Sequence, residues 1–143
     1  MLYQQAEEVC DYLLEKAREY RIDVVWEHFS PYTPPGSSYK YRRVVMNLDW
    51  HRPEEIVFQF AHELAHVIHG DVGDVVFYHA SFTGKESVEY KANVGAIKLL
   101  VPFYCQDTDI QCANSANFMQ AFHVPHYLSD VVRDKIWEYY VKQ

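Results

Sequence analysis

The chain predicts an α+β fold, a small β-sheet packed with about five helices, and three observations carry that prediction. Segments 2–20, 53–70 and 86–101 repeat apolar residues at helical spacing. Two shorter apolar runs, 22–26 and 41–48, read as strands, and residues 117–140 read as helix, turn, helix. At 143 residues, 49% hydrophobic and 23% charged, the chain has the size and composition of one globular domain. Without an internal repeat, a low-complexity tract or a dividing linker, 1–143 is expected to be a single unit.

In the first segment Leu2, Ala6, Val9, Leu13, Leu14 and Ala17 fall on one helical face, with Glu7, Glu8, Glu15, Lys16 and Arg18 between them. Ile22 to Trp26 follows as a short strand. The run Ser30 to Tyr39, with Pro31, Pro34, Pro35 and Gly36, is a loop by composition. It reads as ordinary surface, with the border of a cleft as the alternative. Tyr41 to Leu48 is the second strand, and Arg42 and Arg43 suggest a sheet edge or a chain end, where charge blunts unwanted pairing. An edge there, facing a site, could hold an extended peptide as an added strand; a plain structural strand would have the same sequence.

Pro53 suits the first turn of the next helix, and Glu54 and Glu55 suit its positive end. The helix then runs to Gly70 and is apolar almost all round, with one polar stripe of Gln59, His62, Glu63 and His66. At 100° and about 1.5 Å per residue, His62 and His66 project from nearly the same side, about 6 Å apart along the axis, and can share one metal ion. Glu63 points about 100° round the axis, beside such a metal rather than on it, where a general base belongs. His-Glu-x-x-His on a helix is the zinc-peptidase signature: zinc lowers the pKa of bound water to about 7 and the glutamate takes the proton. A solvated surface helix is the competing explanation, but its apolar surroundings oppose it, because a buried imidazole or carboxylate needs a partner.

A catalytic zinc usually takes three protein ligands. The helical segment 86–101 contains Glu89 and Asn93, four apart on one face, beside Val88, Ala92, Gly95, Ala96 and Leu99. The small residues let this helix lie close to the histidine helix, which nominates Glu89 as third ligand. Asn93 is nominated as acceptor for the outer N–H of one ligand histidine, with a plain surface amide as the alternative. His69 is the rival ligand, although a histidine near a helix C-terminus is explained by the dipole alone. The elongated metzincin pattern is absent, since position 69 is His and position 72 is Val. His79, His123, His126, Tyr78 and Tyr90 are candidates to stabilise a developing oxyanion, and no spacing singles one out. Between the two helices, 75–79 is expected as a strand or a lid.

Phe60 to His69, then Glu89-Tyr90-Lys91-Ala92-Asn93, then Leu99-Leu100-Val101-Pro102, together resemble the ImmA/IrrE metallopeptidases of bacteria, phages and mobile elements. The resemblance implies a minimal zincin-like (gluzincin-type) metallopeptidase domain, with Zn2+ held by His62, His66 and Glu89 and with Glu63 as catalytic base. It also implies a protein substrate, typically a helix-turn-helix transcriptional repressor of a phage, mobile element or stress response. Two positions depart from the family pattern: Lys91-Ala92, where an acidic residue often precedes the alanine, and Val94-Gly95-Ala96, where phenylalanine-alanine-alanine is more usual.

The formal net charge of −7 argues against a broad nucleic-acid footprint. The C-terminal helix pair is expected to pack rather than to bind DNA, because Asp130 and Asp134 interrupt Arg133 and Lys135. No apolar run is long enough to span a membrane. Three cysteines, Cys10, Cys105 and Cys112, without a paired spacing or a secretory leader, fit a reducing cytoplasm; Cys105 and Cys112 read as buried free thiols, with metal binding as the alternative. Most of the twelve tyrosines are expected half-buried. The expected activity is therefore a cytoplasmic zinc endopeptidase acting on a repressor. The alternative is a metal-stabilised module that sequesters its partner without hydrolysis.

Overall fold

The computed structural model describes residues 3–70 and 82–142. The order is α1 (Tyr3–Glu19), β1 (Asp23–Glu27), β2 (Gly36–Ser38), β3 (Arg43–Asn47), a 3₁₀ turn (Pro53–Glu55) and α2 (Ile56–Gly70). Then come α3 (Phe82–Cys105), α4 (Ser115–Phe122), a second 3₁₀ turn (His126–Leu128) and α5 (Ser129–Val141). The α+β class, with five helices and a three-stranded sheet among the described residues, is as the sequence predicts. The expected strand or lid at 75–79 lies outside the described residues.

Helix α1 buries Val9, Leu13 and Ala17, one residue per turn. It stops in a Schellman motif: Arg21 adopts the left-handed conformation (φ 58°), its N–H bonds the Arg18 carbonyl at 3.1 Å, and Ile22 N–H reaches back to Ala17 at 2.8 Å. The Arg42 side chain donates to the Tyr20 and Arg21 carbonyls at this helix end. Arg42 thus caps α1 and does not mark a sheet edge.

The sheet order is β1-β3-β2, with β3 parallel to β1 and antiparallel to β2. The strand expected at 41–48 is therefore the centre of the sheet, consistent with full burial of Val44 and Met46. The edge beside α2 is β2, which falls inside the segment expected to be loop. Its Gly-Ser-Ser sequence has no β-branched or aromatic residue, and its extended form follows from pairing with β3.

At the end of β3 the buried Asn47 makes four hydrogen bonds. Its Oδ1 accepts from Phe29 N–H (3.1 Å) and Asp49 N–H (2.9 Å). Its Nδ2 donates to the carbonyls of Ser30 (2.7 Å) and Thr33 (2.9 Å). One amide thereby fixes the path of the chain into β2.

Helix α2 sits between the sheet and α3. Phe60, Leu64 and Val67 are wholly buried, and Trp26 of β1 meets Phe60 edge-on with ring centroids 5.2 Å apart. Helix α3 buries Ala92, Ala96, Ile97 and Leu100 and continues beyond the expected end at residue 101, carrying Pro102 inside it. Proline removes one backbone donor, but Pro102 lies on the exposed side, and the next turn is retained through Gln106 N–H to the Pro102 carbonyl at 3.1 Å. A side-chain bond from the Tyr12 hydroxyl to the Leu99 carbonyl, 2.7 Å, ties α1 to the same stretch.

Helix α4 is capped by Asn114, whose side chain accepts from Asn117 N–H, and ends at the left-handed His123. With α5 it closes the core through Phe118, Leu128 and Val132. Cys105 is buried as expected, but Cys112 is exposed, which corrects its reading as a buried thiol; Cys10 is half-buried. Several tyrosines are likewise more exposed than expected, Tyr32 at 73% and Tyr41 at 66%. No helix among the described residues is long and apolar enough to cross a membrane.

Candidate metal centre

Two helices build the site. On α2, His62 and His66 project together, their ring centroids 4.6 Å apart and their planes at 84°. On α3, Glu89 reaches across to both: Oε2 lies 3.1 Å from Nε2 of His62, and Oε1 lies 2.9 Å from Nε2 of His66. The close approach has a steric basis. A Cβ at Gly95 would stand 2.8 Å from Cβ of Ala65 and 3.0 Å from the ring of His69, so only glycine fits between the helices at this spacing.

These donors suit a metal ion. One donor atom from each of His62, His66 and Glu89 lies within 4.8 Å of the others, the one such group of three among the described residues. A tetrahedral ion with bonds of about 2.0–2.1 Å separates its donors by roughly 3.3 Å, close to the 3.1 and 2.9 Å between Glu89 and the two imidazoles. Two imidazoles and a carboxylate are a donor set typical of catalytic zinc and leave a fourth position open. His69 also lines the cleft but is not in the group, and its ring lies beside Gly95.

The electrostatics agree with the geometry. Hydrogen bonds from His62 and His66 hold the Glu89 carboxyl well below its usual range, despite some burial. Burial disfavours the charged form of His62, but the bond to Glu89, the charges of Glu63 and Glu89 and the bond to Asn93 outweigh it and raise its pKa. Nδ1 of His62 faces Oδ1 of Asn93 at 2.7 Å, the relationship expected from the spacing of α3. The outer edge of the Asn93 amide meets the Tyr127 hydroxyl at 2.6 Å, a contact that no spacing along the sequence announces.

Glu63 is half-buried and lines the same cleft as the three donors, a space of about 760 Å³. Its opposite wall is Pro34, Pro35, Ser37, Ser38, Tyr39 and Lys40. The segment read from sequence as ordinary surface is thus the cleft border, and the sheet edge at the site is β2 rather than the strand around Arg42 and Arg43. Tyr39 is seated on Gly70, where a Cβ would come within 2.2 Å of its ring, fastening the wall to the end of α2. Of the oxyanion candidates, His123 and His126 line a separate cavity with Arg52, Tyr90 is exposed outside the cleft, and Tyr78 and His79 lie outside the described residues.

A small mixed sheet, with a histidine helix laid against it and a carboxylate supplied by the following helix, defines a minimal zincin-like, metallopeptidase-type domain. The family model Peptidase_M78, the IrrE N-terminal-like domain, matches residues 17–103, and the chain belongs to this family. That span contains the sheet, α2, Glu89 and Asn93, and it stops before α4, Tyr127 and α5. Comparison with curated proteins gives no match, and comparison with solved structures gives none.

Proposed function

We propose that the protein is a cytoplasmic zinc endopeptidase, with His62, His66 and Glu89 as metal ligands and Glu63 as general base. The observation that carries the reading is the convergence of Nε2 of His62, Nε2 of His66 and the Glu89 carboxylate at the floor of a cleft that Glu63 also lines. Zinc held there would supply Lewis acidity and make water a nucleophile near neutral pH. Glu63 takes a proton from the attacking water and returns it to the departing amine, so the carboxylate is regenerated at each turnover. Asn93 keeps the His62 ring turned with Nε2 toward the donors. The β2 edge, bordering the cleft through Ser37 and Ser38, offers backbone groups against which an extended peptide can lie.

The substrate is proposed to be a helix-turn-helix transcriptional repressor of a phage or mobile element, the class that the resemblance to ImmA/IrrE peptidases suggests. The net charge of −7 accords with a protein rather than a nucleic-acid partner. The test pairs metal content with cleavage. Wild type purified without chelator should hold about one zinc per chain, and Glu89→Ala should hold much less. Glu63→Gln should retain the metal and lose cleavage of the repressor. Equal cleavage by Glu63→Gln defeats the mechanism; a stable uncleaved complex, identical for both proteins, shows sequestration instead of hydrolysis.

A further inference from the structure

Tyr127 reaches the metal centre from the 3₁₀ turn His126–Leu128, 34 residues along the chain from Asn93 and beyond residue 103, where the family match ends. The turn is fixed independently of that contact. Leu128 is wholly buried, Val124 nearly so, and Leu128 N–H bonds the Pro125 carbonyl at 3.0 Å. The Tyr127 ring is 67% exposed and contributes little to the core. Its hydroxyl lies 2.6 Å from Nδ2 of Asn93.

The chemistry of the imidazole gives this contact a purpose. A histidine binds metal through Nε2 only when that nitrogen carries no proton, so the proton of the neutral ring must reside on Nδ1. Nδ1–H then needs an acceptor, which Asn93 offers only with Oδ1 turned toward His62. A primary amide has a second orientation of nearly the same shape, and that one would set Nδ2–H against Nδ1–H. The Nδ1–H of His62 therefore selects the orientation, and the Tyr127 hydroxyl, which accepts from Nδ2 at the outer edge, fixes where the amide sits.

We infer that Tyr127 is a positioning residue for the metal site, holding the Asn93 amide in place against Nδ1 of His62, so that the ring keeps its Nδ1–H form with Nε2 free for the metal. The inference rests on the metal-site reading above. It places part of the active constellation in the C-terminal region, outside the segment that defines the family.

Tyr127→Phe removes one oxygen and leaves the exposed ring in place. Zinc affinity is measured by competition with a chelator for wild type, Tyr127→Phe, Asn93→Ala and the double variant, with thermal unfolding of the metal-free proteins alongside. Tyr127→Phe should still bind one zinc, about threefold to tenfold more weakly, less than the 10- to 100-fold loss usual for a residue bonded directly to a ligand histidine. Its visible spectrum with cobalt in place of zinc should shift, and its metal-free melting temperature should stay that of wild type. In the Asn93→Ala background the same substitution should change nothing, because its effect passes through that amide. Unchanged affinity on Tyr127→Phe, or an equal loss with and without Asn93, overturns the inference while full wild-type loading leaves the metal site standing. Wild-type protein that binds no zinc removes both.

Discussion

Replacing Gly95 by alanine sets two effects of known sign against each other. In a helix interior, alanine is favoured over glycine by about 0.8–1.0 kcal/mol, so an unconstrained position would be stabilised. Here the new methyl would stand 2.8 Å from Cβ of Ala65 and 3.0 Å from Cε1 and Nε2 of His69. Carbon atoms prefer about 3.5–4.0 Å, so α2 and α3 must separate by roughly 0.7–1 Å where they touch. The His69 ring can swing aside, but Cβ of Ala65 moves only with its backbone. Overpacking of this kind costs about 1–3 kcal/mol. The net expectation is a loss of about 1 kcal/mol, or about 3 °C in melting temperature for a chain of this length. The effect on metal should be larger. Ala65 immediately precedes His66, Gly95 lies six residues after Glu89, and a zinc site tolerates only about 0.2 Å in its bond lengths. Zinc affinity, measured by chelator competition beside a thermal melt, should fall by about tenfold or more, as for loss of a close supporting group. Ala65→Gly introduced with Gly95→Ala should restore most of it. A Gly95→Ala protein that melts about 3 °C higher and binds zinc as wild type does would refute the account of how the helices meet.

Three further outcomes are expected. Asn47→Ala leaves Phe29 N–H, Asp49 N–H and the Ser30 and Thr33 carbonyls without their partner; at roughly 1 kcal/mol each, urea unfolding should show a loss of about 3–4 kcal/mol, and a loss below about 1 kcal/mol would contradict the anchoring role. The metal-free protein should respond to pH through His62 and Glu89 together. The raised His62 pKa gives stability that is full below its ordinary 6.5 and fades as pH rises through the folded value; the lowered Glu89 pKa gives stability present above 4.5 and lost in acid. The pair therefore helps most between those limits, modestly, since the Glu89 side chain is 44% exposed. Zinc must displace the His62 proton, so apparent affinity should drop about tenfold per pH unit below the folded His62 pKa, and a titration flat from about pH 5 to pH 8 would exclude this linkage.

Much of the site could be read from the chain because its parts are local in sequence. His62, Glu63 and His66 lie within two turns of one helix, Glu89 and Asn93 within one turn of the next, and helical periodicity alone sets which of them share a face. What remained hidden depends on partners distant in sequence. Gly36-Ser37-Ser38 becomes a strand by pairing with β3, which no propensity of its own reveals. Arg42 resembled an edge residue because charge near a strand has that common use, whereas its guanidinium serves the end of α1. Pro102 read as a stop because proline usually breaks a helix, yet at an exposed position one lost donor is tolerated. Gly95, a departure from the resembled pattern, finds its explanation in Cβ of Ala65 and the His69 ring, which occupy the space a methyl would need.

The anchoring of the cleft wall at Asn47 gives the two sides of the cleft separate mechanical grounds. The floor is set by how closely α2 and α3 approach, and the wall by an amide at the end of a central strand; the wall meets α2 along β2 and where Tyr39 rests on Gly70. Substitutions along Pro34 to Lys40 can therefore reshape what the cleft admits while the ligand geometry stays as it is. Such a division would let selection reshape what the cleft accepts by changing its wall alone, and it marks Pro34, Pro35, Ser37, Ser38, Tyr39 and Lys40 as the place to begin in altering specificity.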